Sequence, residues 1–186
     1  MQGSARMFVS VPVEVTDTMR DAVRELTQIK NVRASREDQI HITLCFMGDV
    51  DTSRVPALKE ALRDALSGSE PFDLCIRGMG AFPDIRRPRV IWMGIENEHL
   101  AHLADAVRSA VRKARVGFDG KPFSPHVTVC RVQGPAAVSS IAGRYADTEF
   151  SKFTVGSVHL MKSVLGPDGA KHSVVDTISL RPAGGE

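Results

Sequence analysis

The 186-residue chain contains no stretch of about 18 consecutive apolar residues, so no membrane-spanning helix is expected. Its first fifteen residues lack a charged start followed by a long apolar core, which argues against a secretory signal. Cysteine is scarce: Cys45, Cys75 and Cys130 are the only three, they sit in apolar stretches, and no C-x-x-C pair occurs. An odd count without paired spacing argues against a disulfide framework and gives no zinc site, so no metal is expected; a reducing, cytoplasmic setting is. Charge of one sign is not in large excess either, since 24 Lys and Arg face 22 Asp and Glu, with a pI of about 8.5. So mild a basic balance permits a phosphate-bearing partner without demanding one. No low-complexity linker divides the chain. With 42% hydrophobic and 25% charged residues, it reads as one globular domain, or two small lobes sharing a core.

What the sequence does contain is an internal repeat. Residues 8–11 read as a strand, with Asp17 as a helix N-cap and Met19, Val23, Leu26 and Ile29 at helical spacing. A strand follows at residues 40–46, then a helix at 54–66 and a strand at 72–76. The second half repeats this order, with a strand at 90–95, a helix carrying Leu100, Leu103, Val107 and Val111, a strand at 125–131, a short helix at 136–142 and a strand at 153–165. Residues 78–89, with Pro83 and Pro88, look like a loop. A closing hairpin, 153–180, turns at Gly166-Pro167-Asp168-Gly169 and returns along 172–180. The tail, 181–186, is expected to be loose. The reading is a single bilobal α+β domain over residues 1–186, with repeat halves at about 7–78 and 89–165 related by a pseudo-twofold axis. Each lobe is expected to be an antiparallel sheet with helices outside, the two forming a V-shaped central cleft.

Each half carries one His-x-Thr unit, His41-Ile42-Thr43-Leu44 and His126-Val127-Thr128-Val129. Strand side chains alternate between faces. His41, Thr43 and Cys45 should therefore share one face, and His126, Thr128 and Cys130 another, while Ile42, Leu44, Phe46, Val127, Val129 and Arg131 point away. One such histidine would usually be an ordinary half-buried side chain; two at matching places in a repeat are harder to explain by accident. Two imidazoles facing one cleft suit phosphodiester hydrolysis, one taking a proton from water and the other giving one to the leaving oxygen, with pKa values of about 6.5 before any perturbation. Threonine hydroxyls suit the non-bridging oxygens. Spacing alone leaves open which histidine is acid and which is base, and this chemistry needs neither metal nor cofactor.

The chain resembles the 2H phosphoesterase superfamily and, within it, the RNA 2′,3′-cyclic phosphodiesterases, or 2′-5′ RNA ligase-type proteins. The resemblance runs through Met7-Phe8-Val9-Ser10-Val11, the nine residues from His41 to Asp49, Gly80-Ala81-Phe82-Pro83, Arg87-Pro88-Arg89-Val90-Ile91-Trp92 and the ten residues from Pro122 to Arg131. It implies hydrolysis of RNA 2′,3′-cyclic phosphate ends to 2′-phosphates, with His41 as proton donor and His126 as acceptor, and some reverse 2′-5′ ligation. The departures are Cys45, where relatives often carry a basic residue, Cys130, where alanine or glycine is common, and His172, near a frequent tyrosine.

Thr43, Thr128, Arg131 and Phe82 are the candidate substrate-binding residues. Arg131 would need a local twist to reach phosphate, and Phe82 heads a loop, with Arg86, Arg87 and Arg89, that suits base stacking. The partner is RNA with a cyclic phosphate end or a small cyclic nucleotide, and a monomer is expected. His99 and His102 read as a solvated helix face, and His159 as structural. Arg108, Arg112, Lys113 and Arg115 suit either RNA or the helix dipole. Cys45 and Cys130 could lie close across the cleft, with strand-filling the default. Three rivals stand beside this reading: a relative acting on 2′-5′ oligonucleotides or ADP-ribose cyclic phosphate; a non-catalytic RNA-binding module; and a histidine-triad hydrolase, which fails for want of a His-x-His-x-His run.

Overall fold

The computed structural model describes residues 3–167 and 169–181. Its elements are β1 (Ser4–Pro12), α1 (Asp17–Leu26), β2 (Val32–Ala34), β3 (His41–Asp51), α2 (Val55–Leu66), β4 (Phe72–Phe82), β5 (Val90–Ile95), α3 (Glu98–Lys113), β6 (His126–Val132), α4 (Ser139–Arg144), β7 (Glu149–Val155), β8 (Ser157–Gly166) and β9 (Gly169–Ser179). This is the expected α+β class, with antiparallel strands in the order β7-β4-β5-β6-β3-β1-β8-β9 and β2 beside β6. The hydrogen-bonded path is continuous, but between β6 and β3 it narrows to one pair, Ile42 with Val127. The sheet therefore has two well-zipped halves joined at a seam, and that seam runs between the two His-x-Thr strands.

The helices form where apolar residues recur at helical spacing. Leu58, Leu62 and Leu66 of α2 and Leu100, Leu103, Val107 and Val111 of α3 are all buried, in one core with Ile42, Leu44, Val127 and Val129. Thr16, one residue earlier than expected, caps α1: its Oγ1 accepts from the Met19 N–H at 3.3 Å, while Asp17 sits in the first turn. Asn97 caps α3 in the same way, accepting from the Leu100 N–H at 3.0 Å.

Three expectations need correction, and one strand was not foreseen. Residues 78–82 are not loop but the last part of β4, paired with β5 from Met79–Met93 to Phe82–Val90. The single strand expected at 153–165 is two, separated at Gly156: β7 at one edge of the sheet path and β8 near the other, between β1 and β9. The short helix lies at Ser139–Arg144, beginning and ending later than its apolar spacing suggested. β2, only three residues long, has no sequence signal of its own and exists through pairing with β6. The hairpin of β8 and β9 closes at Gly166–Gly169; Asp168 of its turn, and residues 182–186 of the tail, lie outside the described residues. Among the described residues no helix is long and apolar enough to cross a membrane.

Candidate active site

The seam sets the geometry. Ile42 and Val127 pair and are both fully buried. Continuing that antiparallel register by one residue puts His41 across from Thr128 and Thr43 across from His126, all on the face opposite the buried aliphatics. The two histidines thus take diagonal corners of the seam. His126 is near enough for its charge to oppose protonation of His41.

Both rings are oriented by the same device. Nδ1 of His41 lies 2.8 Å from the carbonyl oxygen of Gln39, and Nδ1 of His126 lies 2.7 Å from that of Ser124. A carbonyl can only accept, so each Nδ1 carries the hydrogen and donates it, leaving Nε2 as the reactive nitrogen. Around His41 the packing is tight. Phe8, 3% exposed, stacks on the ring at 4.8 Å and 29°, and His172 meets it edge-on at 5.4 Å. Nε2 of His41 is 3.1 Å from Oγ1 of Thr43, which donates to the neutral ring. Burial pushes the His41 pKa down to about 4, against the pull of the Gln39 carbonyl, with the charges of His172, His126 and Arg131 adding to the fall. His41 of the free protein is therefore neutral at pH 7. Burial and Arg131 also push the His172 pKa down, opposed by Asp38.

His126 has a more open border. Phe82, 36% exposed, meets it edge-on at 5.0 Å and leans on Trp92 at 5.4 Å. The Trp92 indole lies over Gly80, where a Cβ would come within 2.3 Å of the ring, so only glycine fits there.

Simple alternation fails after each threonine. β1 pairs Val9 with Cys45 and Ser10 with Thr43, skipping Leu44; β5 pairs Ile91 with Cys130 and Trp92 with Thr128, skipping Val129. Each motif thus bulges at its fourth residue, and the strand reverses its facing. Cys45 and Cys130 do not share the histidine face; both are buried, and burial pushes their thiols up to about 11 and about 12. The two cysteines therefore do not face each other across the cleft but fill strand positions in the core. Phe46 is not packed away but half-buried, with the Arg6 guanidinium over its ring at 4.8 Å. Arg131 returns to the histidine side, exposed, with its charge felt by His41 and His172.

Residues 15–167 match the 2′-5′ RNA ligase superfamily. The chain belongs to that superfamily. It is 32% identical over 168 residues to an Archaeoglobus fulgidus protein named RNA 2′,3′-cyclic phosphodiesterase, spanning 88% of this chain and 94% of that protein. A Methanothermobacter thermautotrophicus protein of the same name is 31% identical over 185 residues, spanning 94% and 98%. Among solved structures, a Thermus thermophilus protein superposes with a TM-score of 0.79 at 27% identity, covering 96% of this chain and 99% of that one. Apo LigT of E. coli superposes with a TM-score of 0.74 at 20% identity, covering 97% and 99%, and shares the fold.

For this 2′-5′ RNA ligase superfamily member, the structure brings His41, Thr43, His126, Thr128, Arg131 and Phe82 to one face around the seam. It adds three residues that the sequence had not singled out. Phe8 stacks on His41. Gln39 orients His41 through its carbonyl and, through its side-chain oxygen, accepts from the His172 backbone N–H at 2.7 Å. Ser124 does for His126 what the Gln39 carbonyl does for His41. The shared signal is position, two residues before each histidine. The lesser candidates have other partners. His99 stacks on Phe72, Arg108 lies near Phe118 and Phe123, and Lys113 pairs with Asp64, while the backbone N–H groups of Arg86 and Arg87 donate to Asp84 and shape their loop. Among the described residues no three His, Cys, Asp or Glu side chains are grouped to hold a metal ion.

Proposed function

We propose that this chain hydrolyses 2′,3′-cyclic phosphate ends of RNA to 2′-phosphomonoesters by metal-independent acid–base catalysis between His41 and His126. The observation that carries the reading is the pair of imidazoles, each pinned through Nδ1 to a backbone carbonyl so that Nε2 is left for proton transfer, on two strands joined at one seam. The near-full-length likeness to two proteins named RNA 2′,3′-cyclic phosphodiesterase supports the reaction class.

In this reading Nε2 of His126 takes a proton from water as its oxygen attacks phosphorus, and Nε2–H of His41 gives a proton to O3′ as the P–O3′ bond breaks. The 2′-phosphate leaves, His126 ends protonated and His41 neutral, and exchange with solvent resets both. His41 must therefore be charged when substrate is bound. The phosphate anion supplies the reason, since a nearby negative charge raises an imidazole pKa. Protonation of Nε2 also releases the Thr43 hydroxyl, which turns to a non-bridging oxygen, with Thr128 and Arg131 serving the other. With a ribose 5′-hydroxyl in place of water as the nucleophile, the same step, with O3′ again leaving, joins ends through a 2′-5′ linkage. The chain acts as a monomer, with Phe82 beside the terminal base.

The deciding experiment is hydrolysis of a 2′,3′-cyclic mononucleotide in EDTA across pH, with the product isomer identified. A 2′-phosphate and a bell-shaped pH profile are expected. A 3′-phosphate product, or complete dependence on a divalent ion, would falsify the mechanism.

A further inference from the structure

The short strand β2 does more than extend the sheet. It pairs with β6 in the register Val32–Val132, Arg33–Arg131, Ala34–Cys130. Residues directly opposite in an antiparallel pair share a face, so Arg33 stands on the same side as Arg131, the side whose charge reaches His41 and His172. Like charges directly opposite each other on paired strands repel. Nearby arginines are neutralised: Arg36 pairs with Asp38 at 2.6 Å, and Arg20 pairs with both Asp17 and Glu37 at 2.9 Å. Arg33 and Arg131 are both exposed, and among the described residues neither makes an ion pair or a side-chain hydrogen bond. β2 also lies along the same edge of β6 as β3, so Arg33 continues the line of His126, Thr128 and Arg131 away from the seam.

Two facing guanidiniums without a counter-charge are arranged for an anion with oxygens on both sides, and a phosphodiester meets that description. We propose that Arg33 and Arg131 bind the internucleotide phosphate one nucleotide upstream of the cyclic end, so that the site prefers an RNA chain end over a free cyclic nucleotide. The proposal rests on the phosphodiesterase reading and adds to it a subsite for the RNA chain behind the cyclic end. Arg131 serves both phosphates; Arg33 reaches only the upstream one, because it lies one strand farther out and past the bulge at Val129.

The test compares wild-type protein, Arg33→Ala and Arg33→Lys on a 2′,3′-cyclic mononucleotide and on a short single-stranded oligoribonucleotide ending in the same cyclic phosphate. Loss of one charge-assisted hydrogen bond should lower kcat/KM on the oligonucleotide about tenfold in Arg33→Ala, mostly through KM. Mononucleotide turnover should change less than about twofold, and the slope of log(kcat/KM) against log[salt] should fall by about 0.7, the value for one phosphate contact on a single strand. Arg33→Lys should recover part of the loss. Equal losses on both substrates, or no loss on the oligonucleotide, overturn the subsite while leaving the phosphodiesterase reading intact. A wild-type protein that hydrolyses neither substrate overturns both.

Discussion

His41 and His126 hold the same place in two copies of one motif, and their surroundings differ. His41 is pressed between Phe8 and His172, its Nε2 engaged by Thr43 and its pKa pushed down to about 4. His126 borders the exposed Phe82 across a more open rim, and Thr128 makes no matching hydrogen bond to it. The bulge common to both strands delivers different side chains to the cleft face, Phe46 with Arg6 stacked on it in one and Arg131 in the other. Near-identical local sequence thus yields one imidazole that packing holds neutral and another on an open rim; in the proposed mechanism the first needs the substrate's charge to become an acid. Chemical role follows from packing, which the motif does not encode.

The comparison fails at once if either histidine is dispensable. His41→Ala and His126→Ala should each lower kcat by about 10²–10⁴-fold, with unchanged circular dichroism. The next largest effect belongs to His41 alone. With an unfolded pKa of about 6.5 and a folded value of about 4, the unfolded chain binds more protons between those limits. The stability that goes with neutral His41 is complete above pH 6.5 and is lost as pH falls towards 4, by roughly 3 kcal/mol at most. Urea titrations at pH 7, 5 and 4 should show this loss in the wild type and less of it in His41→Phe; equal slopes would mean that His41 is not buried as described. Thr43→Val and Thr128→Val should each cost about 10- to 100-fold in kcat. Only Thr43→Val should move the His41 titration followed by NMR of its Cε1 proton; an equal shift in both variants would erase the asymmetry. The smallest expected effect is that of His172→Phe, which keeps a ring against Phe8 and removes a charge that opposes protonation of His41. The His41 titration should move upward, with turnover near the wild-type value.

Much of the site was legible because it depends on short-range geometry. His-x-Thr on a strand places an imidazole and a hydroxyl on one face whatever the rest of the fold does, and the buried Ile42 and Val127 follow from the same alternation. Legibility stops at Leu44 and Val129. A bulge is a property of two strands, set by how β1 pairs with β3 and β5 with β6, and nothing within either motif announces it. That is why Cys45, Cys130, Phe46 and Arg131 were placed on the wrong faces. The same reason hides β2, whose three residues have no periodicity to read, and the separation of β7 from β8 at Gly156. It also hides the stacking of Phe8 on His41, which brings together residues 33 positions apart (41 − 8) on paired strands.

The sequence by itself determined the α+β class, the duplicated histidine and threonine pairs, and their presentation on strands, because residue type and two-residue periodicity are local and survive any tertiary arrangement. Tertiary structure alone decided that the two strands meet at a single pair, that both bulge at the same place, and that one imidazole is packed more tightly than its twin. Register, desolvation and the approach of distant charges arise only when separate segments pack together, and these are the quantities that set which nitrogen holds a proton.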